Sequence, residues 1–204
     1  MRLAGKRVGV ALTGSFCTIP EVLPEVERLV AEGAEVYPIL SEKVATQNTR
    51  FGKAADIACK LEQITGKEPL CTIQEVEPLG PGKVLDALVI APCTGNTLAK
   101  LALGVTDGPV LMAAKSTLRN GRPLVLGIST NDALGANAKN LGALLNTKNV
   151  YMIPFGQDAP ESKPSSLVSD MSLMLDAIVG ALEGRQIQPL LVDRKRHAGY
   201  ANVR

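Results

Sequence analysis

Small polar side chains gather at four places in this 204-residue chain: Thr13-Gly14-Ser15, Ser41, Cys93-Thr94-Gly95-Asn96-Thr97 and Ser129-Thr130-Asn131. Hydroxyls and amides hold phosphates and sugar-like hydroxyls by hydrogen bonds, and a glycine beside a serine lets backbone N–H groups approach an anion closely. The chemistry to expect is ligand holding, with a phosphate at Gly14 and Ser15. No G-x-G-x-x-G run accompanies them, and Glu35 follows about twenty residues on in a weakly matching context, so a mononucleotide-like cofactor fits better than a dinucleotide. Cys93 is a candidate nucleophile, because a helix amino end favours the thiolate. The alternative is a small residue packed beneath a ligand, and Cys17 carries the same two readings. Thr94 or Asn96 could equally serve as a plain helix cap. Lys100 is either a cation for an anionic substrate or a surface residue. The chain's one histidine, His197, lies near the carboxyl end, which argues against His-based acid-base or triad chemistry. Cys17, Cys59, Cys71 and Cys93 are far apart and form no C-x-x-C pair, so free thiols and no metal site are expected.

Strand ends must carry these clusters. Leu85–Ala91 is an apolar run that reads as a strand buried on both faces, and helical spacing of Leu98, Leu101, Ala102 and Val105 follows its polar turn. Further strands are expected over Lys6–Thr13, Glu35–Leu40, Leu70–Ile73, Pro123–Ile128 and Val150–Ile153. Helices are expected over Pro20–Glu32, Phe51–Leu61, Val110–Arg119, Ala136–Leu145 and Leu167–Leu182, with Pro24 tolerable only if the first starts late. This alternation predicts an α/β, three-layer fold with a mostly parallel sheet of about six strands. In such sheets ligands sit outside the carboxyl ends of the strands.

The formal charge of +2 and the interspersed signs exclude a general nucleic-acid binder. One domain over residues 1–193 is expected, followed by a basic, solvated and disordered tail over 194–204 holding Arg194, Lys195, Arg196 and Arg204. No signal-like apolar segment and no membrane-length stretch appear, so a cytoplasmic protein without a membrane partner is expected.

The run Ala91-Pro92-Cys93-Thr94-Gly95-Asn96-Thr97-Leu98-Ala99-Lys100-Leu101-Ala102-Leu103-Gly104-Val105-Thr106-Asp107, together with Thr13-Gly14-Ser15, resembles the homo-oligomeric flavoproteins that include the cysteine decarboxylases and prenyl-flavin synthases. Their run is Ala-Pro, a few small residues, then Asn-Thr-x-Ala-Lys-x-Ala-x-Gly-x-x-Asp. The resemblance extends from about Lys6 to Val192. It implies a Rossmann-like sheet binding FMN, with Gly14, Ser15 and Ser41 at the phosphate and ribityl end. Pro92, Thr94, Asn96 and Thr97 would face the flavin ring or ribityl hydroxyls, and Ser129, Thr130 and Asn131 would complete the pocket. It also implies a homo-oligomer, a trimer or a multiple of trimers. Lys163-Pro164-Ser165-Ser166-Leu167-Val168 and Gln186-Ile187-Gln188-Pro189 are similar to a branch serving as one subunit of a dehydrogenase, whose other subunit has its own NAD or NADP site. The chain departs from the decarboxylases in having no Trp, no Pro-x-Met-Asn-x-x-Met-Trp run and no matching His, and from the prenyl-flavin synthases in placing Ile128-Ser129 where they have an Arg. These departures weigh against both of those activities. The alternatives that remain are a cysteine-type decarboxylase and a non-catalytic scaffold subunit.

Overall fold

The computed structural model describes residues 1–193, so the expected basic tail lies outside the described residues. Strand β1 (Arg7–Leu12) and β3 (Ala87–Cys93) are adjacent and parallel at the centre of the sheet, with β2 (Glu35–Leu40) beyond β1 and β4 (Leu124–Thr130) beyond β3. The free side of β4 is shared. Its first half, Leu124 to Leu126, pairs in parallel with β5 (Val150–Met152), while Ser129 and Thr130 pair antiparallel with β7 (Leu167–Ser169). The two-residue strand β6 (Phe155–Gly156) lies outside β7, giving a seven-stranded mixed sheet with a parallel majority.

Alternation along the central strands sorts their side chains into two cores. Val8, Val10, Leu12, Val89 and Ala91 pack with α1 (Ile19–Ala31), α2 (Glu42–Thr46), α3 (Ala54–Thr65) and α8 (Met174–Leu182) on one face. Ala11, Leu88, Ile90, Cys93, Leu126 and Ile128 pack with α5 (Gly95–Ala102), α6 (Pro109–Arg119) and α7 (Ala138–Leu145) on the other. Burial of both faces explains why β1, β3 and β4 read as nearly unbroken apolar runs. Each fully buried Leu or Ile contributes about 1.5–3 kcal/mol relative to exposure.

The elements depart from the sequence reading in a few places. Ile73 opens a short helix, α4 (Ile73–Val76), rather than ending a strand, because Thr72 and Glu75 form a reciprocal capping box; Leu70 retains one parallel bridge to Ile39. Residues 167–169 are β7 and not the start of the last helix. They fill the edge of β4 that β5 leaves unpaired, and the Asp170 carboxylate then accepts the Ser172 N–H in the turn before α8. Helix α1 starts at Ile19 and runs through Pro24, so the Pro20 carbonyl forgoes its intrahelical donor. Phe51 precedes α3, and Leu103 and Val105 follow α5, which stops at Ala102.

Candidate functional site

The strand order β2-β1-β3-β4 reverses direction at β1 and β3, and a crevice opens at that switch point beyond the strands' carboxyl ends. Thr13 ties the two ends together. Its buried hydroxyl donates to the Pro92 carbonyl at 2.6 Å and accepts the Thr94 N–H at 3.0 Å. Opposite β4, strand β3 carries one extra residue, since Ile90 pairs with Leu126 but Cys93 with Ile128; such a bulge re-aims a strand end.

Two adjoining hollows occupy this crevice and share Gly14, Thr94 and Asn96. The smaller, of about 220 Å³, lies among Ser41, Lys43, Thr97 and Lys100. The Ser41 hydroxyl is buried there without a hydrogen-bond partner among the described residues. A buried unpaired hydroxyl costs about 1–3 kcal/mol, which a ligand oxygen would relieve. Lys43 has no carboxylate partner among the described residues, whereas Lys100 is ion-paired with Asp107. A Cβ at Gly14 would come no closer than 3.7 Å to Phe16 and 3.8 Å to Lys43, so the missing side chain leaves space facing both hollows. An unpartnered hydroxyl, a cation and an open glycine fit a phosphate group.

The larger hollow, about 670 Å³, has Phe16, Phe51, Asn96, Asn131 and the loop residues Asp158 and Lys163 among its lining. Its floor is a hydroxyl cluster in which Ser129 bonds Ser15 at 2.7 Å and Thr18 at 2.8 Å, joining the end of β4 to the loop after β1. A second network surrounds Asp132, whose carboxylate accepts from the Thr130 hydroxyl and, at 2.8 Å, from the Asn137 amide. Gly95, the first residue of α5, is pressed against it: a Cβ would stand 2.6 Å from Asp132 Oδ1, 2.6 Å from Thr130 Oγ1 and 2.8 Å from Asn137 Nδ2. In the loop, burial pushes Asp158 up, but the Ser166 hydroxyl, its own backbone N–H and Lys163 outweigh this and hold the carboxyl below its ordinary range. Lys163 lies 3.5 Å from it.

Gly14, Ser15, Ser41, Thr94, Asn96, Thr97, Ser129, Thr130 and Asn131 all border one or both hollows. Pro92 borders neither; it is buried in β3, and its carbonyl is taken by Thr13. The structure also removes Cys93 as a nucleophile. Its side chain points into the α5–α7 core with no exposure, and desolvation pushes the thiol up to about 12. Cys17, in contrast, is exposed at the larger hollow. Thr94 does cap α5, accepting the Thr97 N–H at 3.3 Å, while the Asn96 side chain is exposed and has no hydrogen-bond partner among the described residues. Two residues escape the sequence reading, Lys43 and Asp132, while Thr13, read there only as part of a polar cluster, turns out to tie β1 to β3. Lys43, a cation two residues past Ser41, is the readable one, whereas Asp132 and Asn137 become a network only through tertiary contacts. Among the described residues there is no metal-ligating cluster and no helix long and apolar enough to cross a membrane.

Comparison with known proteins matches residues 2–181 to the Flavoprotein family model. Over 191 residues the chain is 55% identical to the dipicolinate synthase B subunit of Bacillus subtilis (strain 168), covering 94% of this chain and 96% of the relative. The crystal structure of the dipicolinate synthase B subunit from Bacillus halodurans superposes with a TM-score of 0.88 at 52% identity, covering 95% of this chain and 100% of that one. A dodecameric FMN-dependent UbiX-like decarboxylase from Escherichia coli O157:H7 shares the fold with a TM-score of 0.56 at 23% identity, covering 86% of this chain and 90% of that one. The chain belongs to the flavoprotein family.

Proposed function

We propose that this chain binds FMN and serves as the B subunit of dipicolinate synthase, oxidising dihydrodipicolinate to dipicolinate together with the A subunit of that enzyme. The observation that carries the cofactor reading is the unpartnered Ser41 hydroxyl beside Lys43 and Gly14, a set of donors around open space at the switch point. On this reading Gly14, Ser15, Ser41 and Lys43 hold the phosphate end. Thr94, Asn96 and Thr97 face the ribityl chain and ring from α5, and Ser129, Thr130 and Asn131 close the opposite wall. Bound flavin would supply a hydride acceptor. Aromatising the dihydropyridine ring removes one hydride and one proton, and the proton goes to a cleft carboxylate such as Asp132, to water, or to a group of the A subunit. NAD or NADP enters through the A subunit.

The assembled protein is a homo-oligomer, a trimer or a multiple of trimers. That reading is supported by the dodecameric relative and by Leu103, Leu134 and Leu145, which are 75%, 50% and 44% exposed on one chain. It works in the cytoplasm of a sporulating mother cell. One observation favours the alternative of a non-catalytic scaffold: the hydroxyls of Ser15, Thr18 and Ser129 are spent on one another. Titration with FMN, followed by flavin absorbance and calorimetry, tests the cofactor reading. Saturable binding that Asn96→Leu and Ser15→Glu weaken is expected, and equal affinity in both variants would exclude this placement. Dipicolinate formation by the A subunit with Thr94→Val or Asn131→Leu then separates enzyme from scaffold, since a scaffold keeps full activity in both assembled complexes.

A further inference from the structure

The larger hollow is poorly charged for a dianion. Glu21, Asp132 and Asp158 border it against one bordering lysine, Lys163, which faces Asp158. A planar dicarboxylate needs a flat apolar surface for its ring and cations for its carboxylates. Both are supplied by one turn, in which Phe51 borders the hollow and Arg50, outside the lining itself, is its neighbour. Phe51 is 46% exposed, and the Arg50 guanidinium lies over its ring, 4.8 Å from the centroid. Arg50 has no carboxylate partner among the described residues.

This pair sits on a built turn. The Asn48 side chain accepts the Ala54 N–H at 3.0 Å, capping the start of α3, and the Thr49 hydroxyl accepts the Phe51 N–H at 3.1 Å. Thr49 and Gly52 exchange both backbone hydrogen bonds, at 2.9 and 3.1 Å, and Gly52 takes a φ of +145°, a conformation that side-chain-bearing residues rarely adopt. These bonds fix the backbone of the turn that sets Phe51 at the edge of the hollow with Arg50 beside it. Phe16 supplies a second aromatic side chain to the same hollow, so two of the chain's three phenylalanines border it.

We propose that the Arg50–Phe51 turn recognises the substrate: Phe51 takes the planar ring and Arg50 takes a ring carboxylate as it arrives within a ring's width of Phe51. This assigns specificity within the proposed dipicolinate-forming site and therefore rests on that reading. Stacking on Phe51 is tolerant of ring type, whereas the guanidinium selects for the carboxylate by charge-assisted hydrogen bonding.

The test titrates dipicolinate, the stable product, calorimetrically into the full chain with and without FMN, for wild type, Arg50→Gln, Arg50→Lys, Phe51→Ala and Phe51→Tyr. Arg50→Gln and Phe51→Ala should each weaken dipicolinate by about tenfold. Arg50→Lys and Phe51→Tyr should recover part of that loss, and FMN affinity and oligomer size by light scattering should stay at wild-type values. A monocarboxylate, picolinate, should lose less than dipicolinate on Arg50→Gln. Unchanged dipicolinate affinity, or no saturable dipicolinate binding by wild type, overturns the assignment. Loss of FMN affinity in the variants reassigns the turn to the cofactor, and a change of oligomer size reassigns it to an interface; both overturn the proposal. If wild type binds dipicolinate but no FMN, the cofactor reading fails while the variants still decide this one.

Discussion

Gly95→Ala is the substitution with which the candidate site can be tested most sharply for stability. In an ordinary helix, alanine for glycine is favourable by up to about 1 kcal/mol. At Gly95 the added methyl would stand at 2.6 Å from both a carboxylate oxygen and a hydroxyl, and at 2.8 Å from an amide nitrogen, each already committed to the Asp132 network. Those partners belong to short, mutually bonded side chains and cannot swing clear without breaking a hydrogen bond to a charged group. Overpacking of this kind costs about 1–3 kcal/mol. For a domain of this length each kcal/mol moves Tm by about 2–4 °C, so a fall of roughly 2–12 °C is expected by circular dichroism. Gly142 in α7 is the control, since nothing lies within 4 Å of a Cβ there. Gly142→Ala should raise stability by about 0.5–1 kcal/mol. Adding Asp132→Ala to Gly95→Ala should recover part of the loss, a non-additivity expected of contacting residues. A Gly95→Ala protein as stable as Gly142→Ala would refute the close packing of α5 on the Asp132 network.

Three further outcomes follow from individual side chains. Ser41→Ala removes a buried hydroxyl that has no partner, so urea unfolding should show unchanged or slightly higher stability while FMN binds about tenfold more weakly; weaker folding or unaltered FMN affinity would contradict the phosphate role. Asp86 is buried enough that desolvation pushes its carboxyl up, yet the Arg7 backbone N–H at 2.9 Å, the Arg7 guanidinium and Arg122 together hold it below the ordinary range. Its stabilisation is then present above the unfolded value near 3.9 and lost as pH falls through the folded one, so Asp86→Asn should cost about 1–2 kcal/mol at pH 7 and progressively less towards pH 3. A cost independent of pH would show that the charge is not what stabilises. Native-state thiol labelling at pH 7 should modify the exposed Cys17 and Cys59 rapidly and Cys93 only after denaturant is added, because a thiol pushed up to about 12 is ionised to the order of one part in 10⁵. Cys93 labelling at the rate of Cys17 would restore it as a reactive group.

What the sequence could and could not disclose follows from the range of the interactions involved. β1, β3 and β4 are legible because two-sided burial leaves an uninterrupted apolar run, and a parallel sheet then delivers the residues after each run to one edge. This is why Gly14, Ser15, Asn96 and Ser129 could be placed together without any knowledge of pairing. β6 and β7 are too short for a period of two to register, and β7 exists because β5 covers only half of β4. The direction a strand-end side chain faces is less legible still. Cys93 and Thr94 are neighbours, yet the bulge at the end of β3 and the alternation of the strand send the thiol into the core and the hydroxyl to the α5 cap. Pro92 is withdrawn by Thr13, a residue whose role arises from a hydrogen bond across 79 positions of sequence. The small polar residues at strand ends thus divide into two groups that composition cannot separate. Thr13, Ser129 and Thr130 spend their hydroxyls holding strand ends and loops in place, whereas Ser41, Asn96 and Asn131 keep their polar atoms uncommitted among the described residues. The uncommitted group has polar atoms left for a ligand, and substitution within it should change binding before it changes folding.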